Sequence, residues 1–238
     1  MISLEKIANT EEGLTLKKSV DSFENTLISL EKEKSVSLKE HTARVAVAID
    51  FSGSMNKLYK DGSVQRILNR LMPLALKFDD DGELDVWLFD HEFRTLPSMN
   101  IDNFQGYVKR EILENKWHMG RTCYAPVLKD IMKKYFFFGL KKSKDPIFLI
   151  FITDGGNSDK TETDKVIRDS SKKDIFIKFI GMGKEDFPYL EKLDDLTGRE
   201  VDNTAFSKVD DFEKLSDESL YKILLDQYPE WIDAKLNN

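Results

Sequence analysis

From Ala43 onward the sequence alternates short, almost wholly apolar runs with longer amphipathic ones, and nothing else in it narrows the fold as much. Residues 44–49 (RVAVAI), 84–89 (LDVWLF), 147–152 (IFLIFI) and 175–180 (IFIKFI) are rich in β-branched and aromatic side chains, as strands are. The first and third are apolar at nearly every position. That pattern fits strands covered on both faces, a property of parallel sheets, so these two are expected at the sheet centre. Helical spacing is expected over 64–77, 104–114, 124–138 and 160–172, and residues 93–97 suggest an antiparallel edge strand. Strands alternating with helices predict an α/β fold: a Rossmann-like, doubly wound, mostly parallel sheet flanked by helices.

The two ends of the chain read differently. In the first forty residues apolar positions stand isolated, and Val20, Phe23, Leu27 and Leu30 recur at spacings of three and four. This predicts an amphipathic helix that packs on the main body. Residues 1–42 are therefore read as a helix-bearing extension and 43–238 as the domain proper, a size that suits one core. At the other end, residues 216–236 carry an apolar stripe from Leu220 to Ile232, which Pro229 is expected to break or kink.

Composition excludes several classes. Thirty-six basic against 43 acidic residues leave a net charge of −7, a field that repels nucleic-acid phosphates and anionic membranes. The single cysteine, Cys123, cannot form an internal disulfide, and no apolar run approaches the length of a bilayer span. Without a basic start followed by an apolar run, the expected location is the cytoplasm.

The chemistry concentrates at the carboxyl ends of the predicted strands, where open α/β sheets bind ligands. Asp50-Phe51-Ser52-Gly53-Ser54 follows the first strand directly, and Ile152-Thr153-Asp154-Gly155-Gly156 ends the third. Between them Gly120-Arg121-Thr122-Cys123-Tyr124 places a hydroxyl just before a helix. A D-x-S-x-S match alone arises by chance about 0.03 times in a chain this long, so the coincidence of three segments is what carries weight. Asp50, Ser52, Ser54, Thr122 and Asp154 form an all-oxygen donor set suited to a hard divalent cation: Mg²⁺ first, with Ca²⁺ and Mn²⁺ as alternatives.

These residues resemble the metal-ion-dependent adhesion site (MIDAS) of von Willebrand factor type A (vWA) domains, whose pattern is D-x-S-x-S, then T, then D. The stretches YKDGSVQ (59–65), FDDDGELDVW (78–87), YAP (124–126), FIGMG (179–183), FPYLEKLDDL (187–196) and VDNTAF (201–206) resemble the subfamily of bacterial tellurium-resistance and stress operons, TerF-like. The resemblance implies that Ser52 and Ser54 ligate the cation directly. It implies that Asp50 and Asp154 often act through water, and that Thr122 does either. It further implies a non-enzymatic interaction module binding an acidic group of a protein partner, with TerD-type stress proteins as candidates. Arg121 and Cys123 depart from the Gly and Asn more usual beside the threonine, and Gly156 replaces a common acidic residue.

Other readings remain open at this level. Asp50 after a strand also suits the nucleophile of a Mg²⁺-dependent phosphoryl-transfer enzyme, although the general acid such enzymes carry two residues later is here Ser52. A scaffold with an unused metal site is a third reading. His41, His91 and His118 share no metal-ligand spacing and read as surface or loop residues. Cys123 reads as a buried structural thiol, with a redox-sensing one as the alternative. Asp79-Asp80-Asp81 reads as a solvated turn, the lysines at 133, 134, 141, 142 and 144 as a solvated face, and Phe136 to Phe138 as helix-end core.

Overall fold

The computed structural model describes residues 10–34, 38–115, 117–137 and 145–236. Among them, β1 (Arg44–Asp50), β2 (Leu84–Phe89), β3 (Phe93–Thr95), β4 (Ile147–Thr153), β5 (Ile175–Met182) and β6 (Thr204–Val209) form one sheet in the order β3-β2-β1-β4-β5-β6. All neighbours are parallel except β2 and β3. This is the expected doubly wound architecture, with β1 and β4 at its centre and every residue of β2, β4 and β5 buried. β6 escapes sequence reading because it is an edge strand with half its residues partly exposed, which removes the apolar run that marks the others.

Alternation along β1 divides the core. Val45, Val47 and Ile49 face one layer, while Ala46 and Ala48 face the other. The second layer consists of α5 (Ala125–Phe136), α6 (Lys160–Ser170) and α7 (Pro188–Asp194). The first holds α1 (Glu11–Lys34), α3 (Ser63–Phe78), α8 (Asp217–Leu224) and α9 (Tyr228–Leu236), with the short α2 (Asn56–Lys60) and α4 (Tyr107–Glu111) near its edge. α2 and α7 were not legible as helices, being shorter than the two turns that periodicity needs.

The N-terminal helix docks on the domain. The Thr10 hydroxyl accepts the Gly13 N–H at 3.0 Å, capping α1, and Glu11 and Glu12 complement the positive end of its dipole. Leu16, Val20, Phe23, Leu27 and Leu30 bury their faces against α3 and α8. Phe23 is fully buried, edge-on to Phe78 at 5.4 Å and Tyr221 at 5.0 Å. Ser19 donates to Asp217, which also pairs with Arg70 at 2.7 Å, so a polar clasp closes the same interface.

Pro229 does not kink one long helix. The break lies upstream, where Gln227 adopts φ 63°, and Pro229 occupies the first turn of α9, where its missing N–H leaves no helical bond unmade. The acidic turn is also not simply solvated. Arg44 Nη1 pairs with Asp79 at 2.7 Å and Asp80 at 2.8 Å, and Nη2 with Asp81 at 2.7 Å, while the Asp79 side chain is only 3 % exposed. Lys133 and Lys134 are exposed, as a solvated face requires, and Lys134 in addition pairs with Asp85 at 2.7 Å and lies over the Trp87 ring. Phe136 packs on the second core layer, but Phe137 is 69 % exposed and departs from the expected core role. Phe138 and the lysines at 141, 142 and 144 lie outside the described residues.

His41 likewise differs from a plain surface residue. Its Nε2 lies 2.7 Å from the Tyr228 hydroxyl, and Phe78 and Tyr228 both pack edge-to-face on the ring. Burial lowers its pKa from 6.5 to about 4, against a smaller upward pull from Asp145. A base depressed in the fold stabilises it above the unfolded value and loses that contribution as pH falls. Between about pH 6.5 and pH 4, wild type should therefore lose on the order of 2 kcal/mol more unfolding free energy than His41→Gln, as read from urea titrations at each pH. Parallel pH profiles for the two proteins would contradict this. For the docked helix, Phe23→Ala should cost about 3–5 kcal/mol in the same assay, and a loss below about 1 kcal/mol would mean that α1 does not share the core.

Candidate metal centre

The carboxyl edge of the sheet gathers the five candidate residues around the ends of β1 and β4. Asp50 closes β1 with its side chain fully buried. Its Oδ1 accepts the Ser52 N–H at 2.7 Å, which folds the chain back sharply, and its Oδ2 accepts the Thr153 hydroxyl at 2.6 Å. That turn sets the Ser52 and Ser54 hydroxyls 3.0 Å apart at the start of a 3₁₀ turn over Gly53–Met55. Ser52 is 5 % exposed, whereas Ser54 faces solvent. Phe51 points into the first core layer against Tyr59, whose hydroxyl donates to the Asp50 carbonyl at 2.9 Å.

Thr122 arrives from the opposite side. Its loop forms an isolated parallel bridge, Ser52 to Gly120, and the Thr122 carbonyl accepts the Ser158 N–H at 2.9 Å. A methyl group on Gly156 would stand 3.9 Å from Thr122 Oγ1, so Thr122 adjoins the loop that follows Asp154. Asp154 is half-buried, and its charge reaches Asp50. The five residues thus share one rim.

Electrostatics at the rim centre on Asp50. Burial raises the Asp50 carboxyl to about 6, hydrogen bonds from Thr153 and Ser52 pull it back down, and the Asp154 charge adds to the rise. A buried carboxylate held above its ordinary range is one whose ionised form needs a compensating positive charge. Two hydroxyls and a third across the rim stand beside it, so the five side chains carry oxygen atoms alone, without nitrogen or sulfur.

Four residues that build the site went unrecognised in the sequence. Thr153 is fully buried and fixes Asp50, and Tyr124 donates to both the Thr153 hydroxyl at 3.3 Å and the Gly155 carbonyl at 3.4 Å. Asp159 caps α5 from another loop, accepting the N–H groups of Tyr124 at 3.0 Å and Ala125 at 2.9 Å. Asp90, fully buried after β2, holds the Thr122 loop at both ends. Its Oδ2 accepts the Gly120 N–H at 3.1 Å and its carbonyl the Cys123 N–H at 2.8 Å. Arg94 lies 3.6 Å from that carboxylate and stacks over Phe51 and Trp117. Gly120 must lack a side chain there, since a Cβ would stand 2.1 Å from His91 Nδ1 and 3.0 Å from Asp90 Oδ2. In sequence Asp90 was legible only as one more carboxylate at a strand's carboxyl end, without a motif spacing to single it out.

Cys123 is half-buried rather than buried. Burial pushes its thiol up, with Asp159 and Asp90 adding to the rise, so it rests as a neutral thiol and not as a reactive thiolate. Among the described residues, the one acidic trio close enough to share an ion is Asp79, Asp80 and Asp81, and Arg44 already pairs with all three. No helix among the described residues is long and apolar enough to cross a membrane.

Similarity to known proteins agrees with this geometry. YcbR of Bacillus subtilis (strain 168) is 42% identical over 207 residues, covering 86% of this chain and 82% of that protein. Proximal thread matrix protein 1 (PTMP1) from the mussel byssus superimposes with a TM-score of 0.59 at 16% identity, over 79% of this chain and 48% of its own. This chain thus spans about half the length of PTMP1, a second structure of which has a zinc-occupied MIDAS motif (TM-score 0.54, 20% identity, 78% and 46% covered). The SpRpn10 VWA domain superimposes at 0.53 with 11% identity, covering 78% of this chain and 95% of that one. Residues 42–238 match the vWA-TerF-like family, described as the vWA found in the TerF C terminus, with α1 lying before the matched span. With the sheet order, the rim at its carboxyl edge and this match in agreement, the chain belongs to the TerF-like von Willebrand factor type A domains.

Proposed function

We propose that the protein is a non-enzymatic, metal-dependent interaction module whose cation binds an acidic group of a protein partner. The observation that carries this reading is the Asp50 carboxylate, fully buried with one oxygen on the Ser52 N–H and the other on the Thr153 hydroxyl. So engaged, it cannot swing out to attack a phosphoryl group, which argues against the nucleophile role. It can still neutralise a cation held at the rim.

Ser52 and Ser54 would ligate that cation directly and Thr122 would complete the protein's share, with Asp50 and Asp154 acting on its water ligands. A cation bound mainly by neutral hydroxyls keeps most of its charge and an exchangeable position, so an incoming carboxylate binds well. The all-oxygen set favours Mg²⁺, with Mn²⁺ and Ca²⁺ as substitutes. In this reading residues 1–42 are an extension of the domain, and its helix α1 docks on α3 and α8. Membership of the TerF-like group supports a bacterial stress or tellurite-resistance complex as the setting, TerD-type proteins as partners and the cytoplasm as the location.

Calorimetric titration of metal-free protein tests the reading. Wild type should take up about one Mg²⁺ or Mn²⁺ per chain, and Asp50→Ala and Ser52→Ala should each weaken uptake at least tenfold, in line with losses from altered metal-site residues. Absence of metal-dependent heat in a folded wild type would overturn it, as would phosphatase activity abolished by Asp50→Asn. Asp90→Ala removes the buried carboxylate beside Arg94 and frees the Gly120 end of the Thr122 loop, so it should destabilise the fold by about 3–5 kcal/mol in urea unfolding. A cost under about 1 kcal/mol would show that Asp90 does not hold the loop.

A further inference from the structure

The Thr122 loop is pinned so that one side chain faces the rim while its neighbour is left uncommitted. Asp90 holds Gly120 through its carboxylate and Cys123 through its carbonyl, and Ser158 holds the Thr122 carbonyl. Only Arg121 and Thr122 lie between the two Asp90 pins. Thr122 is 8 % exposed, whereas Arg121 is exposed and, among the described residues, makes no hydrogen bond or ion pair. This contrasts with Arg44, Arg66, Arg70, Arg94, Arg110 and Arg199, each of which has a carboxylate partner.

The surrounding sequence has the same sign. In a chain of net charge −7, the fifteen residues 115–129 contain no aspartate or glutamate but carry Lys116, His118, Arg121 and Lys129. His91, also exposed, packs its ring on Gly120. Within this stretch of sequence, then, no carboxylate competes for the Arg121 guanidinium.

We propose that Arg121 is a second recognition point beside the metal centre, so that the partner is held through two acidic groups, one on the cation and one on the Arg121 guanidinium. The inference rests on the metal-dependent reading above and specifies the chemistry of its partner. Adjacent Cα atoms lie about 3.8 Å apart, so an arginine next to the ligating threonine reaches a point within about 10 Å of the cation. Two or three residues of extended chain span that distance. The partner segment therefore carries acidic residues two or three positions apart. An exposed ion pair is weak when it forms alone, but the metal contact makes the second contact intramolecular and raises its effective concentration.

The test uses the full chain saturated with Mg²⁺ and two fluorescently labelled, end-blocked peptides, Gly-Asp-Gly-Gly-Gly and Gly-Asp-Gly-Glu-Gly, followed by anisotropy. Wild type should bind the two-acid peptide about three- to tenfold more tightly, the scale of one exposed ion pair. Arg121→Gln should bind both equally with its calorimetric Mg²⁺ affinity unchanged, Arg121→Lys should keep part of the preference, and the remote Lys172→Gln should keep all of it. Equal binding by wild type, a preference that survives in Arg121→Gln, a loss shared by Lys172→Gln, or no binding of either peptide would overturn the inference. Absence of Mg²⁺ uptake is a separate outcome, seen in the calorimetry alone, and defeats the metal reading itself.

Discussion

The pairing of Asp50 with Ser52 and Thr153 is the interaction on which the candidate site depends. It joins the ends of the two central strands, β1 and β4, through one buried carboxylate, and it bends the chain so that two serine hydroxyls meet at the surface. Burying an ionisable carboxyl is costly, and the fold offsets only part of that cost with two hydrogen bonds. What remains is the upward shift of the carboxyl to about 6.

Around this pairing the second tier of contacts is built from other strand ends. Asp90, after β2, is a further buried carboxylate, but Arg94 and the N–H groups of Glu92 and Gly120 engage it, so it serves the Thr122 loop. Asp159 does the same for the start of α5. Acidic residues at one sheet edge are in this way sorted by their partners. Asp90 is paired with arginine and Asp159 is spent on the start of α5, whereas Asp50 has no cationic partner among the described residues. The Asp79–Asp81 trio, crowded but paired with Arg44, shows the same logic at the far edge of the sheet.

Much of this was legible in the sequence because burial on both faces leaves an unmistakable apolar run. RVAVAI and IFLIFI announced the centre of the sheet, and the three-and-four spacing from Val20 to Leu30 announced the docked helix. The five rim residues were found because their spacing survives in one dimension, although their role as ligands is a proposal. What was not legible shares a physical cause. Thr153, Tyr124, Asp90 and Asp159 act through hydrogen bonds between segments far apart in sequence, and nothing local marks a carboxylate that will cap a distant helix or pin a distant loop. β6 was missed, and the contact of the loop residue His41 with Tyr228 was not foreseen, because exposure at an edge and packing under Tyr228 are decided by tertiary structure alone. Lys178 is the extreme case: its strand was evident, yet its full burial, with burial pulling its ammonium down to about 8 against Asp226 and Asp194, was not.

The most direct test of the central claim is to locate the ion. Crystals grown with Mn²⁺ and measured for anomalous scattering should show one strong peak at the carboxyl edge of the sheet, in contact with the hydroxyls of Ser52, Ser54 and Thr122, with Asp50 remaining bonded to Thr153. Absence of a peak at that rim at saturating Mn²⁺, or a peak instead at Asp79, Asp80 and Asp81, would contradict the account.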